Sequence, residues 1–204
     1  MDFDIPIIPI KIIMVGKLNV GKTSLLIKYS KKNKSACSKI KKNNFSIISE
    51  IKIKDGIKFE LIIWDTLGQE KYKSLSKLFL QDCKIVILVY SVDDEESFNQ
   101  IDNWFQIIKS SNDSKGLIFG VIANKSDLAS DKTIPDERGI EYANKIDAIF
   151  KSTSAKNQNN DIEEFIDQLF DKYHQNKLDL EVATASTLNR AMIRYSLPYK
   201  NKCC

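Results

Sequence analysis

Apolar residues along the chain gather in short runs, and polar stretches separate those runs at nearly regular intervals. The run from Ile5 to Val15 predicts a buried strand. Gly16 to Ser24 then reads as a turn, and LLIKYS after it as helical. FSIISEIKI and IKFELIIW flank Asp55-Gly56, a dipeptide that supplies the positive φ angles of a tight hairpin. CKIVILVYSV and GLIFGVIAN are short, β-rich and almost wholly apolar, as strands covered on both faces must be. Between them, Phe98, Ile101, Trp104, Phe105 and Ile108 fall at helical spacing. IDAIF reads as a last short strand. Ile162, Phe165, Ile166, Leu169 and Phe170 then share one helical face, with Asp161 as its cap. Strands alternating with helices predict an α/β fold with a mostly parallel sheet.

From about Gln175 the periodicity fades, and Arg190, Arg194, Lys200 and Lys202 mix with polar residues. This divides the chain into a globular domain over 1–175 and a flexible tail over 176–204. No apolar run approaches the ~18 residues of a membrane-spanning helix. The first residues are apolar but acidic and broken by Pro6 and Pro9, unlike a secretory signal. Four cysteines in 204 residues make no disulfide framework, which points to a reducing compartment. A net charge of +4 does not by itself call for nucleic acid.

The first turn carries chemistry. GKLNVGKTS (Gly16, Lys17, Leu18, Asn19, Val20, Gly21, Lys22, Thr23, Ser24) fits G-x-x-x-x-G-K-[ST], placed after a strand and opening a helix. Gly16 and Gly21 allow turns whose backbone N–H groups meet phosphate oxygens, and the helix N-terminus adds partial positive charge. Lys22 reaches the outer phosphates, and the Thr23 hydroxyl suits Mg²⁺. A phosphate loop alone admits ATP or GTP. Asp65 ends the strand in IIWDTLGQE, where a carboxylate can serve the Mg²⁺ from its second sphere, and the Gly68 N–H can bond a γ-phosphate. IANKSD puts Asn124, Lys125 and Asp127 after another strand. A carboxylate there accepts from guanine N1–H and the 2-amino group, and adenine offers neither donor. Ser154, Ala155 and Lys156, in STSAK, place backbone N–H groups where they can meet the guanine oxygen.

With those motifs in hand, the chain resembles the Ras-like small GTPases over about residues 7 to 175, and most of all the Rab proteins. IIWDTLGQE is similar to the Rab stretch IWDTAGQE, and CKIVILVYSVDDEESFNQIDNWFQIIK to the Rab strand and helix carrying SF and W. The resemblance implies a six-stranded sheet flanked by about five helices. It implies a GDP/GTP switch with Mg²⁺ that regulates vesicle traffic, and Gln69 as the residue orienting the attacking water. It further implies a monomer that engages effectors, exchange factors, GTPase-activating proteins and a dissociation inhibitor. Such a protein sits on the cytoplasmic face of membranes, with a carrier-bound cytosolic pool.

Several positions depart from the family. Leu18 stands where a small residue is usual, Asn19 replaces a frequent glycine, and Leu67 replaces alanine. No threonine occurs between Thr23 and Thr66, although the family uses one about twenty residues after the phosphate-loop lysine. Ser38 and Ser46 are the nearest hydroxyls. The aromatic that covers the guanine ring is also missing, Tyr29 being early and Phe45 late. KKNKSACSKIKK (31–42) reads as a solvated, lysine-rich loop, with a basic surface for an acidic partner or anionic lipid as the alternative. These departures leave a second function open, a guanine-nucleotide-binding module that hydrolyses poorly. The adjacent thiols Cys203 and Cys204 resemble the double-cysteine end of many Rab proteins, which implies two prenyl groups. Two lipid chains hold stably where one is marginal.

Overall fold

A computed structural model describes residues 6–32, 37–42, 45–65, 80–111, 116–131 and 134–196. Side chains are described outside 32–46, 129–133 and 181–196. The strands are β1 (Ile7–Val15), β2 (Cys37–Lys42), β3 (Phe45–Lys54), β4 (Ile57–Asp65), β5 (Cys83–Ser91), β6 (Ile118–Asn124) and β7 (Ile149–Ser152). The helices are α1 (Lys22–Lys32), α2 (Glu95–Lys109), α3 (Asp136–Lys145) and α4 (Asp161–Ser196), with a 3₁₀ turn over Ser126–Asp131.

The strands form one sheet in the order β2-β3-β4-β1-β5-β6-β7. From β4 through β7 every pairing is parallel, while β3 runs antiparallel to both β2 and β4. The expected six-stranded G-domain sheet is therefore present, with β2 added at one edge. Asp55 and Gly56 close the β3–β4 hairpin with φ of 50° and 75°, the pair of positive angles that the sequence predicted. β6 is buried along its whole length, and β5 at every position but Lys84. Two cores result. Ile10, Ile12, Leu61, Ile85, Ile87 and Ile122 pack under α1 and α4. Ile13, Val86, Leu88, Val121, Ile101 and Ile108 pack under α2 and α3.

The five apolar residues predicted for the last helix are all buried. Gly120 of β6 faces that helix closely, since a Cβ there would stand 2.6 Å from the Phe165 ring. Packing ends at His174, which is buried with its ring edge-on to Phe59 at 5.5 Å. Two expectations change at this end. The helix does not give way to coil after residue 175 but runs on to Ser196. Residues 176–196 contain no glycine or proline and hold three leucines, three alanines and two arginines, so propensity carries the helix past its packed part. The last strand is Ile149–Ser152, and Ile146 caps α3 instead. Asp147, at φ 55°, turns the chain between them.

The lysine-rich stretch also differs from its reading as a loop. Cys37–Lys42 pairs antiparallel with β3 over six residues. It lies at the sheet edge, the one place where a lysine-rich strand is favoured, because its charge deters further strand pairing.

Candidate nucleotide-binding site

β1 delivers the chain to the C-terminal ends of the parallel strands, where open α/β sheets place their ligands. Gly16 has φ of +148°, and a Cβ on it would stand 2.0 Å from the Val89 carbonyl oxygen of β5. Only glycine lets the loop lie that close. Gly21, at φ +96°, packs against the Asn124 amide in the same way. Asn19 adopts φ 65°, a conformation that asparagine tolerates better than other non-glycine residues, so its replacement of glycine keeps the turn. Lys22 is buried and arches over the loop, donating to the carbonyls of Gly16 at 2.5 Å and Lys17 at 2.9 Å. α1 carries no acidic residue in its first turn, so its positive end is left for an anion.

At the head of α1, Thr23 Oγ1 donates to Asp65 Oδ2 at 2.5 Å. Asp65 is fully buried at the end of β4. A hydroxyl and a carboxylate are the hard oxygen donors that Mg²⁺ takes, and the pair fits it. Among the described residues no cluster of three or more His, Cys, Asp or Glu could hold a metal. A Mg²⁺ here would draw the rest of its shell from phosphate oxygens and water. Of the two hydroxyl residues near the expected threonine, Ser46 stands directly opposite Asp65 in the β3–β4 register.

The base-reading side is built on the end of β6. Asn124 is buried and joins the two halves of the site. Its Nδ2 donates to the Val20 carbonyl at 2.7 Å, and its Oδ1 accepts from the Ala155 N–H at 3.2 Å. Asp127 Oδ1 accepts from the Ser154 hydroxyl at 2.5 Å, and Lys156 Nζ lies 3.0 Å from Oδ2. The Ser154 hydroxyl, with help from Lys156, holds this carboxyl below its ordinary range, so it stays an acceptor. β7 is held in place by the Thr153 N–H, which donates to Ala123 at 2.9 Å, and this brings STSAK beside NKSD.

Three residues at the site carried no role in the sequence reading. Lys28, on α1, is buried and donates to the Ser154 carbonyl at 3.0 Å and to Asn159 Oδ1 at 2.8 Å. Asp94 caps α2 by accepting from the Ser97 N–H, and also receives Lys17 Nζ at 2.9 Å. Asp93 accepts from the Ser91 hydroxyl and lies 3.4 Å from Lys125 Nζ. The cap is legible in DDEES, an acid followed by acids in a first turn. The long-range pairings have no local signal, since Lys28 and Ser154 are 126 residues apart.

The phosphate loop and the base-reading loops together line an open cavity of about 720 Å³. That volume lies within the range of small-molecule sites. Gly21, Ser24, Asn124, Lys125, Asp127 and Lys156 all line it, while Lys22 and Thr23 do not. The Lys17 ammonium turns instead to Asp94 and Glu96, and only its carbonyl serves the loop. Leu18 is 56% exposed. Tyr29 is buried, donating to Glu50, and so is not a cover for the cavity. Gly68, Gln69, Cys203 and Cys204 lie outside the described residues.

The Ras family matches residues 11–175. This chain belongs to the Ras family. Within it the similarity is to Rab proteins. It is 33% identical to Ras-related protein Rab-21 of Geodia cydonium, over 77% of this chain and 68% of that one. It is 30% identical to RabC of Dictyostelium discoideum over 95% of this chain and 96% of that one. Against Rab-13 of Canis lupus familiaris the identity is 34%, over 76% and 75%. The protein is thus a Rab-like small GTPase, a GTP hydrolase by class. Among the described residues no helix is long and apolar enough to cross a membrane.

Proposed function

We propose that this Rab-like protein binds GDP and GTP with Mg²⁺, alternates between the two states on a membrane, and regulates vesicle traffic there. The observation that carries the reading is the Asn124 side chain. It ties Val20 of the phosphate loop to Ala155 of the base loop, and so makes one cleft with phosphate donors at one end and the Asp127 carboxylate at the other. Lys22 and the α1 N-terminus supply positive charge for the outer phosphates. Thr23 would ligate a Mg²⁺ and Asp65 would serve it from its second sphere, and the ion would supply positive charge to the phosphoryl group. Asp127 selects guanine, and Gln69 orients the attacking water. Nucleotide extraction from purified protein should return GDP or GTP, and a single-turnover assay should show Mg²⁺-dependent phosphate release. Equal affinity for ATP would overturn the reading.

Leu18 favours a second reading, a switch with weak hydrolysis. It is a large exposed apolar residue on the loop that cradles the phosphates. Displacing a positioned water by ~1 Å costs about a hundredfold in rate.

Membrane attachment through lipid chains on Cys203 and Cys204 completes the proposal. Intact-mass measurement of the protein from its native cell should show two prenyl additions, absent from the Cys203→Ser/Cys204→Ser variant. Membrane-bound protein with both thiols unmodified would sink this part alone.

A further inference from the structure

We infer that Lys28 is a positioning residue for guanine recognition, acting through the Ser154–Ala155 peptide; this rests on the guanine-nucleotide reading above. A peptide group is planar, so its C=O and the next N–H point in opposite directions as one rigid unit. Lys28 Nζ holds the carbonyl end of this peptide, at Ser154 O, at 3.0 Å. The other end is the Ala155 N–H, which here donates to Asn124 Oδ1 at 3.2 Å and is the donor offered to the guanine 6-oxygen in this reading. Fixing one end fixes the direction of the other.

The anchor is built into the fold. Lys28 is 8% exposed and projects from α1, whose N-terminus faces the phosphates. Its second acceptor, Asn159 Oδ1 at 2.8 Å, lies beyond the same loop, so the ammonium spans the loop's base. The Ser154 carbonyl also accepts from the Asn157 N–H at 3.3 Å, a longer bond that closes the local turn. That turn is made within the loop and has no connection to the rest of the protein. Asn124 ties the N–H end of the peptide to β6 and to Val20, and Lys28 ties its carbonyl end to α1. Ser154 is fully buried, and its hydroxyl is committed to Asp127. The peptide's orientation therefore also sets the carboxylate that reads the other edge of the base. A buried ammonium donating to a carbonyl makes a charge-assisted bond, stronger than a neutral one and sensitive to geometry.

The test separates the 6-oxygen from the rest of the base. Dissociation constants of GDP, 6-thio-GDP and IDP are measured on the full chain by competition against a fluorescent GDP. Sulfur is a poor acceptor for the Ala155 N–H, and inosine lacks only the 2-amino group read by Asp127. In the wild type both replacements weaken binding. In Lys28→Met the preference for GDP over 6-thio-GDP should shrink about three- to tenfold. The preference for GDP over IDP should fall less, and Lys28→Arg should restore the first. Should Lys28→Met fail to fold, Asn159→Ala, at an exposed position, removes one of the two anchors and should shrink the same ratio by a smaller factor. An unchanged GDP to 6-thio-GDP ratio in a folded variant overturns the proposal. A wild type without preference for GDP overturns the guanine reading itself.

Discussion

Lys17 Nζ lies 2.9 Å from Asp94 Oδ2 and 2.6 Å from Glu96 Oε2, which clasps the phosphate loop to the first turn of α2. Neither acid faces the cavity, so this clasp can hold the loop without competing with phosphate. Glu96 and then Asp94 raise the Lys17 pKa. Burial alone would raise Asp94, but bonds from Lys17 and the Ser97 N–H outweigh it and lower its pKa. The depressed Asp94 contributes above the ordinary carboxylate range and is lost as pH falls through its folded value. The raised Lys17 contributes below ~10.5 and is lost only above that. Asp94→Asn should therefore speed GDP dissociation by about two- to threefold at low salt and near neutral pH, with the difference closing in high salt. Stopped-flow release of a fluorescent GDP checks both, and a salt-independent difference would remove the clasp.

Asp127→Asn should weaken GDP by at least about a hundredfold. It exchanges a double acceptor for one acceptor and one donor, and leaves guanine donors unmatched. Xanthine nucleotides should gain. Because Ser154 and Lys156 keep the Asp127 carboxyl below its usual range, wild-type affinity should show no Asp127 titration from neutral pH down to about 4. Competition binding with GDP and XDP at several pH values measures all three effects.

Leu18→Gly should raise single-turnover hydrolysis by about tenfold or more, provided Gln69 is retained. Nucleotide affinity should change little, since the Leu18 side chain is exposed and makes no part of the loop's hydrogen bonding. A rate that does not move would place the slow step outside the phosphate loop. A fast wild-type rate would remove the weak-hydrolysis reading.

Gly120→Ala should destabilise the fold by about 1–3 kcal/mol, as overpacked cores do. The new methyl would meet Phe165 at 2.6 Å and both Leu169 methyls at 3.1 Å, at the β6–α4 contact. Thermal unfolding should show a lower Tm. Nucleotide preference should be kept, because Asn124 lies at the other end of the strand.

The elements that the sequence alone determined are those whose signals are local. A phosphate loop is nine consecutive residues, a positive-φ hairpin is two, and a buried helix face repeats within two turns, so Gly16–Ser24, Asp55-Gly56 and Ile162–Phe170 could be read directly. Asn124, Lys125, Asp127 and Ser154 to Lys156 were legible as motifs in order, although what aligns them is the parallel β6–β7 pairing. Tertiary structure decided what depends on distant neighbours. Cys37–Lys42 is a strand because β3 offers it an unpaired edge, against a composition that reads as loop. Tyr29 is buried because Glu50 receives its hydroxyl. Lys17 turns from the cavity because α2 brings two carboxylates to it, and Lys28 turns toward the base loop because α1 passes beneath Ser154. A lysine's reach is long and its partners are set by packing, so one-dimensional spacing carries no record of where its charge is used.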